Sequence, residues 1–334
     1  MRQTWEQPGS FGAGERRDER EVVMYHIGGE GDYGPAMCVV NRMGQRIHLV
    51  VFEARSGTED INTSTVTKLN KGGVPTTVIY KGIDERSAKT SFYVNKFPLS
   101  SSLLASSPLV AQENPGYTHC HVWSQNAELD HMITVDTVSI DEIVASGAVP
   151  PPDIISIDAQ GAELRILRGA RKTLEKVLCV VTEVEFFEVY EAQGLFDDQM
   201  KLLGQYGFRL FNIHNSQYWH PGPAAGDGFL TVGEATFMRY AADLPAGLGG
   251  GYIPIIRMDM GQLLRMSIIA SSFKALSYVY TLGKEIERRD PKLFADLKTD
   301  PQYRIILELV SMMDMNMEHY AKDPQFFVKA IRIQ

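Results

Sequence analysis

The sequence has few cysteines, no long uncharged apolar run and no cluster of basic residues. Its 334 residues include 3 cysteines, far apart and without CxxC spacing, so no cysteine-based zinc site or redox dithiol is predicted, and a reducing cytoplasm fits best. A membrane span needs about 18 or more consecutive apolar residues, and none is predicted. The net charge of −8, without a basic face, disfavours nucleic-acid binding.

Composition divides the chain into three parts. Residues 1–20 are charged and contain Gly and Pro, without the apolar segment of a secretory signal, so we expect a flexible arm and no export. Residues 21–243 are predicted to form one α/β domain. The glycine-rich run 244–251 predicts a linker, and residues 252–334 carry helical patterns, as in a C-terminal helical extension.

Strands and helices alternate through the predicted domain. The segments 21–27, 47–54 and 76–82 are apolar with little alternation, which is typical of strands buried on both faces of a parallel sheet. Residues 91–140 have the texture of hairpins or an edge insertion. This order predicts a doubly wound sheet flanked by helices. The other predicted elements are helices at 59–73, 139–147, 196–207, 258–288, 291–298 and 301–321, and strands from 154 and at 177–186, 208–213 and 233–240.

Glycines and one acid follow the first two predicted strands. In open parallel sheets, ligands bind beyond the carboxyl ends of the strands. Gly28, Gly29 and Gly31 would let the backbone approach a ligand closely, although such a cluster fits a plain tight turn equally well. Glu53 ends the second strand, where a carboxylate can accept hydrogen bonds from both ribose hydroxyls of a nucleoside. Nucleoside binding is therefore the better interpretation.

Acidic residues in the glycine segment indicate which kind of nucleoside cofactor could bind there. Glu30 and Asp32 stand where a dinucleotide would place its pyrophosphate, and they would repel it. A cofactor without phosphates fits better. S-adenosyl-L-methionine has a ribose and a positive sulfonium that tolerates nearby carboxylates. Asp158, at the tip of the fourth long strand, would then lie beside the reactive end of this cofactor.

The segment DIISIDAQGAELRILRGARKTL, residues 153–174, resembles the hallmark of the FkbM family of S-adenosylmethionine-dependent methyltransferases. The resemblance continues through residues 180–213 and covers about 22–240 by pattern rather than identity. It implies a class I, Rossmann-like, seven-stranded methyltransferase sheet and O-methylation of a hydroxyl, often on a sugar or natural product. Family members usually have Asp where this chain has His26, and a small residue or glycine where it has Asp32.

Together, the strand-end pattern and this resemblance assign roles to particular residues. Glu53 would bind the ribose, the backbone at 28–31 the methionine moiety, and Ile83 with Asp84 the adenine. The full set of expected cofactor contacts is His26, Gly28, Gly29, Gly31, Glu53, Ala54, Ile83, Asp84 and Asp158.

Acids and aromatic residues near the same sheet edge are candidates for catalysis and for binding the methyl acceptor. Asp158, Glu183 and His214 are the catalytic candidates, because an alcohol acceptor benefits from a general base. Glu185, Tyr190 and Tyr218 are the candidate acceptor contacts. Strand-end carboxylates such as Glu183, Glu185 and Glu163 also commonly cap helices or bind backbone amides, and this alternative stays open.

Metal binding is the less favoured interpretation. Several carboxylates near one crevice suit Mg²⁺, but Gln160 and Gly161 follow Asp158 in place of a second clear acidic ligand. His119 and His121 alternate on a predicted strand, which fits packing or surface histidines better than a zinc pair. We therefore predict no metal.

The expected activity is an S-adenosylmethionine-dependent O-methyltransferase with a small-molecule or glycan acceptor. Two alternatives remain: a non-catalytic homologue that binds the cofactor or acts as a scaffold, and an NAD-dependent or nucleotide-sugar enzyme on a similar sheet. The Met-rich helices near the C-terminus suit the core of a small subdomain, a homodimer surface or a lid over the acceptor.

Overall fold

The structure is a computed structural model that describes residues 20–28, 34–54, 69, 72–112, 122–220, 228–240 and 258–322. Its strands are β1 (Val22–Ile27), β2 (Ile47–Glu53), β3 (Thr76–Tyr80), β4 (Gly82–Ile83), β5 (Ala88–Asn95), β6 (Leu129–Val138), β7 (Ile154–Ile157), β8 (Cys179–Glu185), β9 (Phe208–Trp219) and β10 (Phe229–Arg239). The α-helices are α1 (Met37–Met43), α2 (Pro108–Gln112), α3 (Trp123–Asn126), α4 (Ile140–Ser146), α5 (Glu163–Arg168), α6 (Phe196–Gln205), α7 (Met260–Ser272), α8 (Leu276–Arg289), α9 (Pro291–Asp296) and α10 (Pro301–Lys322). Short 3₁₀ turns occupy Gly34–Ala36, Gly44–Arg46, Pro98–Ser100, Thr173–Glu175 and Leu297–Thr299.

A seven-stranded sheet forms the centre, in the order β3-β2-β1-β7-β8-β10-β9. Neighbours from β3 to β8 pair in parallel, whereas β10 is antiparallel to both β8 and β9. The predicted mostly parallel α/β sheet is therefore confirmed. The chain runs outward from β1 to β2 and β3 and then crosses to β7. Strand order reverses between β1 and β7, and ligands bind at that point in sheets of this kind.

The central strands are buried on both faces because helices cover the sheet on each side. Along β1, Val22 and Met24 enter one hydrophobic core, and Val23 and Tyr25 enter the other. Helices α4, α5 and α6 contribute to the second core, which also buries Leu164, Leu167, Ala170 and Leu174. Burial on both sides explains the near absence of polar alternation in these strands.

The C-terminal helices share the first core with the sheet. Their buried residues, such as Leu263, Ile268 and Val279, pack together with β1, β2 and α1. An ion pair between Arg265 and Asp153, with 2.9 Å from Nε to Oδ1, ties α7 to the residue just before β7. These helices therefore form the second layer over one face of the sheet. The predicted homodimer through them stays a prediction.

Several element boundaries differ from those predicted. The predicted helix at 258–288 is two helices, α7 and α8, separated at Lys274, whose φ of 59° lies in the left-handed region. The strand predicted at 208–213 continues to Trp219, because it pairs with β10 along an antiparallel hairpin with register shifts. Most of the helix predicted at 59–73, and the predicted linker, lie outside the described residues. Within the part that the structure describes, no helix is long and apolar enough to cross a membrane.

The predicted hairpin in residues 91–140 is confirmed, and a capping box begins the helix that follows it. Helix α4 begins with a capping box, in which the Ser139 hydroxyl accepts the Glu142 amide hydrogen and the Glu142 carboxylate accepts the Ser139 amide hydrogen. The insertion at 91–140 contains the hairpin of β5 and β6, which forms a second sheet in the order β4-β6-β5. This small sheet stands beside the carboxyl ends of the main strands and provides a wall there.

Candidate active site

A cleft of about 240 Å³ lies at the carboxyl ends of the central strands. Gly28, Glu53 and Asp158, which follow or end β1, β2 and β7, line one edge of it. The segment 92–103 of the insertion faces them with aromatic and aliphatic side chains. The cleft therefore occupies the position where strand order reverses, and it combines apolar walls with a few polar groups, as ligand sites do.

Gly28 allows the ends of β1 and β7 to approach each other. Its φ is +103°, and a Cβ at this position would overlap the carbonyl oxygen of Asp158. The Asp158 amide donates to the Ile27 carbonyl at 2.9 Å, which joins the two strand ends. Only glycine fits here without a shift of the backbone. Gly29 and Gly31, the other predicted cofactor glycines, lie outside the described residues.

Glu53 ends β2 with its side chain in the cleft. The residue is 5% exposed, and Ala54 and Ile83 line the cleft beside it. The apolar ring of Phe52 completes this part of the wall. Lys81 also lines the cleft here. The Glu53 carboxylate can accept two hydrogen bonds from a neighbouring diol while the apolar groups contact a flat ring.

Asp84 has a different environment from the one predicted for a cofactor contact. Its carboxylate is buried and forms an ion pair with Arg165 of α5, with 2.9 Å between Arg165 Nε and Asp84 Oδ1. Asp84 does not line the cleft, although its neighbour Ile83 does. The two-point contact with a guanidinium fixes the end of β4 against α5, and this contact was not visible from strand order.

His26 also lies away from the cleft. Its Nε2 is 3.1 Å from the Gly28 carbonyl oxygen, which can only accept, so Nε2 carries the proton and Nδ1 accepts from the Ser156 hydroxyl at 3.1 Å. The ring lines a second, small cavity of about 20 Å³ together with Glu183 and Glu234. His26 therefore supports the Gly28 bend from behind.

Gln160 joins two carboxylates at the tip of β7 and β8. Its Nε2 donates to Asp158 Oδ1 at 2.5 Å and to Glu183 Oε2 at 3.2 Å. On its other side, Gln160 Oε1 lies 3.0 Å from the Tyr190 hydroxyl. Asp158, Gln160 and Glu183 all line the cleft, so this amide positions both acids at its wall.

The turn after Asp158 has a special backbone that makes this arrangement possible. Gln160 has φ of 53° and Gly161 has φ of 93°. A Cβ on Gly161 would overlap the ring of Tyr190, and the Ser102 hydroxyl donates to the Gln160 carbonyl at 2.6 Å. The motif DAQG therefore forms a strained turn that is held from both sides, as is common at functional sites.

A cluster of three carboxyl groups lies behind this turn. Glu163, Glu183 and Glu185 each offer one oxygen within 4.8 Å of the others. Glu163 and Glu185 are fully enclosed, and Glu163 Oε1 accepts the Ala159 amide hydrogen at 2.8 Å. Glu185 was predicted to contact the acceptor, but it does not line the cleft.

Burial and mutual repulsion raise the pKa values of these acids. Burial raises the pKa of Glu163 to about 7, with a smaller contribution from Asp158. Burial, then the charge of Asp158, then that of Glu185, raises the pKa of Glu183 well above its usual value. The pKa of Glu185 is likewise raised well above its usual value by burial and by Glu163. Strongly shifted carboxyl groups beside a cleft are typical of functional sites.

The predicted loop candidates lie outside the cleft. His214 is part of β9, its Nε2 is enclosed without a hydrogen-bond partner, and burial lowers its pKa. Tyr218 lies on the same strand and is 53% exposed. Tyr190 is buried beneath Gln160 and supports the turn instead of forming a wall. The chain after residue 213, where the predicted strand ended, is strand as well, so His214 and Tyr218 belong to the β9–β10 hairpin.

Other cleft residues were missed from the sequence. Trp123 and Gln217 line the cleft, and the Trp123 ring lies 5.5 Å from the buried Trp219. Phe97 and Leu99 contribute partly exposed apolar surface at the rim. The insertion carries most of these residues, and its pattern gives no signal of where it folds. His119 and His121, the possible zinc pair, lie outside the described residues.

Comparison with known proteins identifies the family. The chain matches the methyltransferase FkbM domain over residues 23–210, which is more than half of its length, so it belongs to the FkbM methyltransferase family. A stretch of 52 residues is 40% identical to the hexuronic acid methyltransferase AglP of Haloferax volcanii, and covers 16% of this chain and 22% of that protein.

Two solved structures are similar to this chain at low identity. The methyltransferase FkbM from Methylobacillus flagellatus KT is 15% identical, over 68% of this chain and 46% of its own, with a TM-score of 0.35. MtNAS in complex with MTA and tNA is 12% identical, over 66% of this chain and 54% of its own, with a TM-score of 0.27. The chain thus spans less than two thirds of the length of each of these three proteins.

Proposed function

We propose that this protein is a class I methyltransferase that transfers a methyl group from S-adenosyl-L-methionine to a hydroxyl of a sugar or glycan. The observation that carries the proposal is the cleft at the strand-order reversal, where Glu53 and the bend at Gly28 line one part and Asp158 the other. Membership of the FkbM methyltransferase family supports methyl transfer as the reaction.

The residues on the β1–β2 side fit the cofactor. The Glu53 carboxylate would accept hydrogen bonds from the two ribose hydroxyls. The apolar side chains of Phe52 and Ile83 would contact the adenine. Gly28 lines the cleft at the tip of β1, where its backbone would contact the amino-acid tail. S-adenosyl-L-methionine, when bound, supplies an electrophilic methyl group on a positive sulfonium.

The residues on the β7–β8 side would act on the acceptor. Asp158 would accept the proton of the hydroxyl and orient its oxygen, while Gln160 holds the Asp158 carboxylate through its 2.5 Å hydrogen bond. Alignment of the hydroxyl would supply much of the acceleration, since methyl transfer needs no covalent enzyme intermediate. Glu183 stands on the same wall and remains a second candidate base.

A sugar acceptor is supported by two observations. The acceptor side of the cleft combines aromatic rings, Phe97 and Trp123, with the hydrogen-bonding amide of Gln217. Flat apolar surfaces beside a few placed polar groups suit a ring that carries hydroxyls. The short match to a hexuronic acid methyltransferase agrees with this class of acceptor.

Mass spectrometry tests the proposal directly. Glycan and small-molecule extracts are incubated with the full chain and S-adenosyl-L-methionine labelled in the methyl group, and we expect label on an oxygen of a sugar-containing product. Calorimetry measures binding of the cofactor in parallel. Cofactor binding without any labelled product would favour a non-catalytic homologue. NAD(H) retained by the purified protein, together with no S-adenosyl-L-methionine binding, would contradict the proposal.

A further inference from the structure

The carboxyl cluster of Glu163, Glu183 and Glu185 is compact and incompletely paired. One oxygen from each residue lies within 4.8 Å of the other two. Glu163 Oε2 and Glu185 Oε2 are inaccessible to solvent and have no hydrogen-bond partner. Both residues are at most 1% exposed. Buried carboxylate oxygens without a partner are rare in proteins, because their desolvation is not compensated.

The surroundings of the cluster supply no compensating charge. Within the described part of the chain, Glu163 Oε1 is paired with the Ala159 amide and Glu183 Oε2 with Gln160, and no ion pair joins any of the three acids to Lys, Arg or His. The Gln193 amide approaches Glu185, but its Nε2 makes no hydrogen bond of acceptable geometry. Asp158 adds a further negative charge nearby. A cation would therefore relieve several unfavourable interactions at once.

Although the sequence alone predicts no metal, we propose that Glu163, Glu183 and Glu185 bind one divalent cation of the hard, oxygen-preferring class, such as Mg²⁺, Mn²⁺ or Ca²⁺. The spacing suits this class, because metal–oxygen distances of about 2.0–2.6 Å place ligand oxygens up to about 5 Å apart. Three carboxylates without sulfur or imidazole ligands also favour a hard cation over zinc or copper. The two enclosed oxygens without partners would then be available as ligands.

The cation would lie at the acceptor wall of the cleft. Glu183 lines the cleft, while Glu163 and Glu185 lie behind it. A cation held there can bind an acceptor hydroxyl and lower its pKa. That consequence rests on the proposed methyl transfer, whereas binding of the cation itself does not.

Manganese binding by the full chain tests the site. The purified protein is treated with EDTA, dialysed and titrated with Mn²⁺, and free Mn²⁺ is followed by electron paramagnetic resonance. We expect one Mn²⁺ per chain, displaced by Mg²⁺ or Ca²⁺. Glu163→Gln and Glu185→Gln should each weaken binding by about tenfold or more, because each removes a charged ligand. Glu191→Gln is the matched control, since Glu191 is exposed a few residues further along and should leave binding unchanged.

Thermal unfolding separates loss of the ligand from loss of the fold. Mn²⁺ should raise the melting temperature of the wild type and of Glu191→Gln, but not that of Glu185→Gln, because only a bound ligand stabilises the native state. A folded wild type that binds no Mn²⁺, or equal affinity in all variants, would overturn the site. Calorimetry with S-adenosyl-L-methionine in EDTA is the independent readout: if that binding fails while Mn²⁺ still binds, only the proposed function is lost.

Discussion

The two walls of the cleft differ sharply in charge. On the β1–β2 side, Glu53 is the one described carboxylate that lines the cleft, and its neighbours there are the cationic Lys81 and the apolar Phe52 and Ile83. On the β7–β8 side, Asp158 and Glu183 line the wall, with two more acids behind them. The first wall suits recognition of an uncharged nucleoside, and the second suits proton or cation chemistry. Changes on the first should therefore affect affinity, and changes on the second should affect turnover and stability.

The largest effect is expected at Asp158. Asp158→Ala should lower the turnover of the labelled acceptor by about 10²- to 10⁴-fold, the usual contribution of a general base, and leave the Kd for S-adenosyl-L-methionine nearly unchanged. Asp158→Asn, which keeps the side-chain size, should lose turnover similarly. Turnover is measured by mass spectrometry and affinity by calorimetry. A parallel loss of affinity and turnover would show that Asp158 binds the cofactor, and the division of roles between the two walls would then be wrong.

An intermediate effect is expected on stability at Glu163 in metal-free protein. Its folded pKa of about 7 exceeds the unfolded value of 4.5, so the folded state holds the proton more tightly and stability falls as pH rises between these values. Above pH 7, where Glu163 is ionised in the folded state, its burial should lower the free energy of unfolding by about 3 kcal/mol. Urea unfolding in EDTA at pH 4.5 and 8 should show a smaller loss in Glu163→Gln than in the wild type. An equal loss in both proteins would refute the assignment.

The smallest effect is expected at Glu53, on the other wall. Glu53→Ala should weaken S-adenosyl-L-methionine binding by about 10- to 100-fold, because it removes charge-assisted hydrogen bonds to the ribose. The pH dependence of stability should change little, since Glu53 is not part of the carboxyl cluster. Glu85→Ala, an exposed acid near the cleft, is the control and should bind normally. Unchanged affinity in Glu53→Ala would contradict the ribose assignment.

The first wall was largely predictable because its residues follow strands directly. Gly28 and Glu53 stand at strand ends, and parallel strands that are adjacent in a sheet bring their ends together whatever their side chains do. The second wall was predictable only in part. Asp158 could be placed from its strand, but the enclosure of Glu163 with Glu185 depends on the turn at Gln160 and Gly161, whose positive φ values no periodicity reveals.

The candidate residues on β9 also have an environment that the local sequence pattern did not predict. The strand predicted at 208–213 ended before His214 and Tyr218, yet backbone pairing with β10 extends it to Trp219. Asp84 was expected to contact the adenine, but Arg165 of α5 binds its carboxylate. In each case a partner distant in sequence, one strand or one guanidinium, decided the environment. Local pattern contains no information about such partners.

The sequence by itself determined the alternation of buried strands and helices, the capped start of α4, and the acids and glycine at the strand ends. These features follow from hydrophobic periodicity and local hydrogen bonding, which act over a few residues. Only the tertiary structure decided which polar groups face the cleft and which acids meet in its wall. Three carboxyl groups from a helix start and one strand come within a few ångströms of each other because packing, and no local preference, holds them there.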